Sequence, residues 1–391
     1  MTTLFSRRLR QSGFTLVELM IAMLIGVFMV LALITLLINV NRSNQEMNKS
    51  SAIVENGRFS LQLLGADVSH AGFWAGHIPA FDDLSGAGVP ADVPAAVPDP
   101  CKPFATWTAQ DHINMVGIAV HGYDIAATVP SPTLPVCANI VTNPKASTDV
   151  LVVRHADTCV PGDPDSPECQ DLAVGKLYFQ TNRCGSAAAF TLAAATSTVM
   201  GTATFPGLKR NCTTAEEARR FVSTLYYVRN YAVTVGDGIP TLMRSDFDLS
   251  GGTLQHKAAE SVIEGVEGFR VEYGIDSQSR SGADVDYSSA IVWADAAKTT
   301  PTNRGDGVPD GAYVRCTTAT PCTAAQLMNV VAVKIYVLVR SSDSATSAGY
   351  RDTKTYHMGS TTLGPFNDGY KRHLFSQTMR LMNVASRRET P

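Results

Sequence analysis

Residues 13–39 read Gly13-Phe14-Thr15-Leu16-Val17-Glu18-Leu19-Met20, followed by IAMLIGVFMVLALITLLIN. From Leu19 to Ile38 there are twenty residues without a charge. At about 1.5 Å per residue a helix of that length covers roughly 30 Å, the thickness of the bilayer hydrocarbon. Arg7, Arg8 and Arg10 precede the block, and no acid comes before Glu18. The positive-inside rule therefore places the first residues in the cytoplasm and everything after Asn39 outside. An ordinary secretory signal ends in a small-residue cleavage site after its apolar region. Here Asn39-Val40-Asn41-Arg42 follows instead. Glu18 stands out, because a carboxylate in hydrocarbon costs about 2.5–3.5 kcal/mol and needs a partner.

Working outward, the helical pattern does not stop at the membrane. Val40, Met47, Val54, Leu61 and Val68 recur every seven residues, with Leu64 added near the end. Such a stripe lies down on something, and the protein's own head is the expected surface. Ser43, Ser50 and Gly57 are too small to favour the alternative, a coiled coil between subunits. A helix from Phe14 to about Val68 is roughly 80 Å long. There is no proline before Pro79, so the available helix breakers are Gly26 and Thr35.

The remaining sequence has a different texture. The 391 residues are 45% hydrophobic and 17% charged, with 30 Gly and 20 Pro, a composition that suggests turns and loops rather than a bundle. Residues 76–147 read as a long irregular stretch. Strands rich in Val, Tyr, Phe and Ile are expected at Asp149-VLVVRHA, Lys176-LYFQT, Ser223-TLYYVRNYAV, Gly268-FRVEYGID, Asn329-VVAVKIYVLVRS and Arg372-HLFSQTMRLMN. The fold class is α+β: a long N-terminal helix (residues 14–70) packed on an antiparallel β-rich head (residues 71–391) with long loops. The eight cysteines include no Cys-x-x-Cys and read as disulfides of an oxidising compartment. Cys159 with Cys169 and Cys316 with Cys322 are the closest pairs; Cys184 with Cys212 and Cys101 with Cys137 complete a sequential scheme. Sequence does not choose among the roughly 105 possible pairings.

The junction Gly13-Phe14 with Glu18 resembles the class III signal of type IV pilins and type II secretion pseudopilins. The resemblance implies that residues 1–13 are a leader, removed on the cytoplasmic side by a prepilin peptidase that also N-methylates Phe14. It further implies that Glu18 pairs with the N-terminal ammonium of a neighbouring subunit and so sets assembly register. Loss of the three leader arginines would take the formal charge from −3 to −6. A second set of residues narrows the match. Glu55-Asn56-Gly57-Arg58-Phe59, Asp67, Ala71-Gly72-Phe73-Trp74, Tyr226-Tyr227-Val228-Arg229-Asn230, Val262-Ile263-Glu264-Gly265-Val266-Glu267-Gly268-Phe269, Tyr273-Gly274-Ile275-Asp276 and Arg372-His373-Leu374-Phe375 are similar to the PilW-type minor pilins.

That resemblance implies a non-catalytic role. The protein would sit in the inner membrane with a periplasmic head and join other minor pilins. The complex would prime polymerisation of the major pilin and end at the pilus tip, in many systems beneath an adhesin. Attachment, twitching motility or DNA uptake would follow from the filament. The alternatives are a J-type minor pseudopilin of type II secretion and a bitopic envelope adhesin with an uncleaved anchor.

Signatures of other chemistries are missing. There is no HExxH, GxSxG, SxxK or Walker A pattern. A net charge of −3 disfavours phosphate-neutralising nucleic-acid binding. His70 and His77, and His155 with Asp157, read as structural; Asp82-Asp83 and Glu216-Glu217 read as solvated faces. Asn303, Asp306 and Asp310 lie in an Asp-Gly loop with a weak likeness to calcium loops, against which Arg304 and Thr302 stand where acids are wanted. No cofactor is expected.

Overall fold

A computed structural model describes residues 13–125, 135–163, 168–185, 188–198, 203–344 and 349–389. Leader residues 1–12, with Arg7, Arg8 and Arg10, lie outside the described residues. Helix α1 runs Leu16–His70, 55 residues, or about 82 Å at the standard rise. Its first half carries a mean hydropathy of 3.0 over eighteen residues, and none of that window is buried against the protein. The apolar half therefore stands clear of the head, as a segment solvated by lipid would.

The second half is covered, and its buried line is Ile53, Gly57, Ser60, Leu64 and Val68. This corrects the heptad reading. Val40, Met47 and Val54 are 46%, 63% and 37% exposed. A strict seven-residue repeat drifts by about 20° per heptad around a straight helix, so the stripe leaves the contact face within a few turns. The head also reaches the helix only from Glu46, which pairs with Lys371, and Lys49, whose Nζ donates to Ser344 O at 2.8 Å. Gly57 is buried because the sheet comes closest there: a Cβ would lie 2.1 Å from the Phe375 ring. The turn that follows α1 contains Gly72, with φ of +73° and Val384 Cγ2 2.7 Å from where a Cβ would be. Both facts restrict that turn to glycine.

Two antiparallel sheets and a hairpin make the head. The stretch expected to be irregular holds helix α2 (Ala109–Gly117) and strand β1 (Val120–Asp124). Strands β2 (Asp149–Ala156), β3 (Leu177–Thr181), β4 (Phe190–Ala194) and β5 (Ala218–Arg229) follow. Then come β6 (Thr241–Ser250), β7 (Thr253–His256) and β8 (Glu260–Glu264). These eight form one sheet in the order β1-β2-β5-β3-β4, with β6 also on β5 and carrying β7 and β8. β5 is the spine: Phe221–Tyr226 pair with β2, while its two ends pair with β3 and β6.

The second sheet starts with β9 (Val266–Ile275) and β10 (Val330–Arg340), the latter preceded by helix α3 (Ala324–Leu327). The hairpin β11 (Tyr356–Met358) and β12 (Thr361–Leu363) intervenes before β13 (Arg372–Arg380) and helix α4 (Met382–Arg388). The order is β13-β10-β9, and this sheet is the one on which α1 lies. Leu381-Met382-Asn383, read as the end of a strand, is instead the entry to α4. The core joins Leu64 and Val68 of α1 to Val333, Ile335 and Val337 of β10 and to Leu151 and Val153 of β2.

Buried charges lock this core. Arg372 contacts Glu267, Asp352 at 3.0 Å and Asp368 at 2.6 Å. Arg388 bonds Asp82 at 2.8 Å, Asp276 at 3.2 Å and Asn329 at 2.8 Å. Asp82 is thus buried, and Glu216, buried as well, pairs with Arg183. Neither is the solvated acid its sequence context suggests, because each meets an arginine from a distant segment.

Four disulfides join Cys101–Cys137, Cys159–Cys169, Cys184–Cys212 and Cys316–Cys322, across separations of 36, 10, 28 and 6 residues. Loop-closure entropy rises with loop length. Removing the Cys101–Cys137 bridge by double alanine substitution should cost about 1.6 kcal/mol more than removing Cys316–Cys322. Urea midpoints of the two variants test this, and equal losses would refute the ordering.

His77 is buried between Phe179 and Phe190, at 5.1–5.8 Å between ring centroids. Burial, then Arg387, lowers its pKa to about 4. His256 is lowered to about 3, chiefly by burial. Between the unfolded pKa near 6.5 and these values the unfolded chain binds more protons, so stability falls as pH falls. The loss from His77 alone should approach the order of 3 kcal/mol at pH 4. A His77→Leu variant should show a shallower decline of urea midpoint from pH 7 to pH 4; an unchanged slope would exclude His77 as a source.

Candidate functional site

The N-terminal site is built by the first turn of α1. Thr15 is the N-cap, and its hydroxyl accepts from Glu18 N at 3.3 Å. The Glu18 carboxylate returns the bond: Oε2 accepts from Thr15 N and from Thr15 Oγ1, both at 2.9 Å. This is a capping box, which satisfies helix donors that would otherwise lack partners. Sequence reasoning passes over Thr15 as a site residue, although Thr15-Leu-Val-Glu18 carries the S/T-x-x-E spacing in plain view. Phe14, just outside the helix, is 87% exposed. A Cβ added to Gly13 would meet nothing within 4 Å, and its φ is not positive. The fold itself makes no demand for glycine there.

At the other end of α1 the scattered head residues come together. Asp67 Oδ2 accepts from the Tyr226 hydroxyl at 3.0 Å, and Asp67 Oδ1 lies 3.3 Å from His155 Nε2. Asn56 Nδ2 donates to Glu264 O at 3.0 Å. Gly57 faces Phe375, and Glu267 faces Arg372. Residues far apart in sequence are therefore the facing halves of one helix–sheet joint. His70 stacks obliquely on His155, 5.4 Å between centroids, while His77 sits in its aromatic nest. Both are packing roles.

The Asp-Gly loop has its polarity reversed relative to a cation site. Asp306 N and Gly307 N donate to the Asp276 carboxylate at 3.2 and 2.8 Å. Asn303 Oδ1 accepts from Val292 N, Asp306 Oδ1 from Val308 N, and Asp310 Oδ2 from Ser277 and Gln278 N. Each of the three side chains serves a different backbone segment. Arg304, itself buried, fills the position between them with bonds to main-chain carbonyls, among them Ser289 O at 2.8 Å. Among the described residues, the one cluster of three His, Cys, Asp or Glu ligand atoms is Asp99 with Cys101 and Cys137. Its two sulfurs are already bonded to each other.

Comparison with known proteins adds two family matches. Residues 8–34 match the prokaryotic N-terminal methylation motif. Residues 225–383, from β5 into α4, match the type IV pilus-assembly protein W family. No curated protein matches the chain. A type IV-like pilin from Thermus thermophilus is similar over 85% of this chain and 97% of its own, at 12% identity. Its TM-score of 0.29 lends nothing to the fold assignment. Pilins are structural, non-enzymatic proteins, and the two family matches fall on the capped apolar helix and on the sheet that receives it. The C-terminal part of the chain is thus similar to the type IV pilus-assembly protein W family, and its N-terminal part carries the prokaryotic N-terminal methylation motif.

Proposed function

We propose that a prepilin peptidase cleaves the chain after Gly13 and methylates Phe14. The mature protein then waits in the inner membrane, its head on the periplasmic side, and enters a minor-pilin complex that primes the pilus and ends at its tip. The observation that carries this reading is the apolar half of α1. It stands free of the head and begins just after a glycine that nothing in the fold requires. An accessible Gly13-Phe14 bond suits a peptidase, and an unburied helix suits exchange from lipid into a filament of similar helices.

Glu18 fits the same scheme. Both bonds from Thr15 fall on Oε2, which leaves Oε1 to accept from the ammonium of a neighbouring subunit. Each charge is costly alone in lipid, and pairing offsets much of that cost. The bulk of the head supports a terminal position, since disulfide-bonded loops of this size crowd the regular helical lattice of a filament and find room at its end.

Intact mass measured from a peptidase-competent host should equal residues 14–391 plus one methyl group, less eight hydrogens for four bridges. The peptidase-null host should give the full-length mass. The full-length mass in both hosts would withdraw the processing claim. Glu18→Ala should still be cleaved yet should lower piliation at least tenfold, because the incoming ammonium loses its acceptor. Wild-type pilus yield from that variant, counted by shearing and immunoblot, would remove the registration role.

A further inference from the structure

Strand β1 ends the first sheet, and among the described strands it pairs with β2 alone. Ala119 O accepts from Arg154 N, and Ile125 N donates to Thr148 O. The alternation of an antiparallel ladder then turns the main-chain groups of His121 and Tyr123 toward β2 and those of Gly122 outward. A cavity of about 250 Å³ opens against this edge, walled by Val97, Pro98, Pro321, Leu327 and the Cys316–Cys322 bridge. Thr318 holds the bridged loop to the end of β1 by donating from N to Asp124 Oδ1 at 2.7 Å.

Two of the residues lining this cavity, His121 and Tyr123, carry a buried polar atom without a partner. His121 lines it and is 1% exposed. Its Nδ1 lies 3.0 Å from Arg154 Nη1. A guanidinium only donates, so Nδ1 accepts and Nε2 carries the proton. That Nε2–H is buried without a partner, as is the hydroxyl of Tyr123 in the same cavity. Burial and Arg154 hold His121 well below its ordinary pKa, so the ring stays a neutral donor. Behind it Arg154 is 0% exposed, with Nε and Nη2 also unpartnered. Asp99 adds a carboxylate to the same lining.

A buried unpaired donor costs on the order of 1–3 kcal/mol. Two of them on one small apolar cavity read as groups kept for a ligand. Arg154 disfavours a cation, Asp99 disfavours an anion, and a neutral group offering an acceptor beside a donor satisfies both. We propose that the cavity binds a short extended peptide segment of another polypeptide, along the Gly122 edge of β1. One of its carbonyls accepts from both His121 Nε2–H and the Tyr123 hydroxyl, its next N–H donates to Asp99, and an aliphatic side chain of valine size fills the apolar walls. The outward main-chain groups of Gly122 favour a peptide over a sugar, since strand edges recruit strands. This assignment is independent of N-terminal processing and of where in a filament the protein sits.

The test uses the full chain in detergent micelles, labelled with ¹⁵N-histidine, and N-acetyl-L-valine N-methylamide as the probe. The His121 Nε2 resonance should move saturably with the probe and stay still with N-acetylglucosamine. Tyr123→Phe should weaken the probe about three- to tenfold while its Tm is unchanged or higher, because it deletes an unpaired hydroxyl. Leu327→Trp, which fills the cavity, should abolish the shift. A probe that leaves His121 unmoved overturns the proposal, as does movement with the sugar alone. Wild-type affinity in Tyr123→Phe, or a lower Tm in that variant, would show that the hydroxyl has another role and equally defeats it.

Discussion

The approach of α1 to the β9-β10-β13 sheet is the constraint from which the rest follows. The contact is possible only because Gly57 presents no side chain to the Phe375 ring and because Leu64 and Val68 are completely covered. Burying side chains of that size stabilises by about 1.5–3 kcal/mol each. At the same place the helix offers polar groups with assigned partners: Asn56 to Glu264 and Asp67 to Tyr226. Apolar contact supplies the energy, and those bonds fix rotation and height of the helix on the sheet.

A helix gripped at one end is free at the other. Its apolar half makes no contact with the head, and the capping box keeps its first turn formed whatever surrounds it. The molecule is therefore two solvation problems on one rod. The lower half needs hydrocarbon, and the upper half needs this particular sheet. Glu18 belongs to both halves of the logic, since it caps its own helix while standing among side chains that exclude water.

Much of the architecture is legible in the sequence because its signals are dense. Val150–Val153 is an unbroken run of Val and Leu, and Val330–Arg340 is mostly Val, Ile and Leu, as strands buried on both faces should be. Thr241–Ser250 escapes such a reading because Arg244, Asp246 and Asp248 interrupt it. Those charges are tolerated since Asp248 meets Arg220 of β5 and Lys257, just beyond β7. The same cause hides Asp82 and Glu216: whether an acid is solvated depends on an arginine hundreds of positions away, or dozens, and no local pattern records it. Helix α2 is within reach of sequence reasoning, because Thr108-x-x-Asp111 is a capping box in the sequence as in the structure. The cavity beside β1 is not, because its unpaired His121 is an ordinary strand residue until Arg154 claims its other nitrogen.

Arg388 carries a consequence for how the molecule is made. It plugs Asp82, Asp276 and Asn329 from α4, and α4 also supplies Val384 to the turn after α1. Helix α1 is thus closed by residues made some three hundred positions later, Arg388 lying 306 residues beyond Asp82. Synthesis proceeds from the N-terminus, so Leu64 and Val68 have no cover until β10 and β13 exist. During that interval the growing polypeptide exposes a sticky face and loose thiols together. The order in which bridges close, local ones within β1–β5 before the C-terminal sheet arrives, becomes part of reaching the native state rather than a finishing touch.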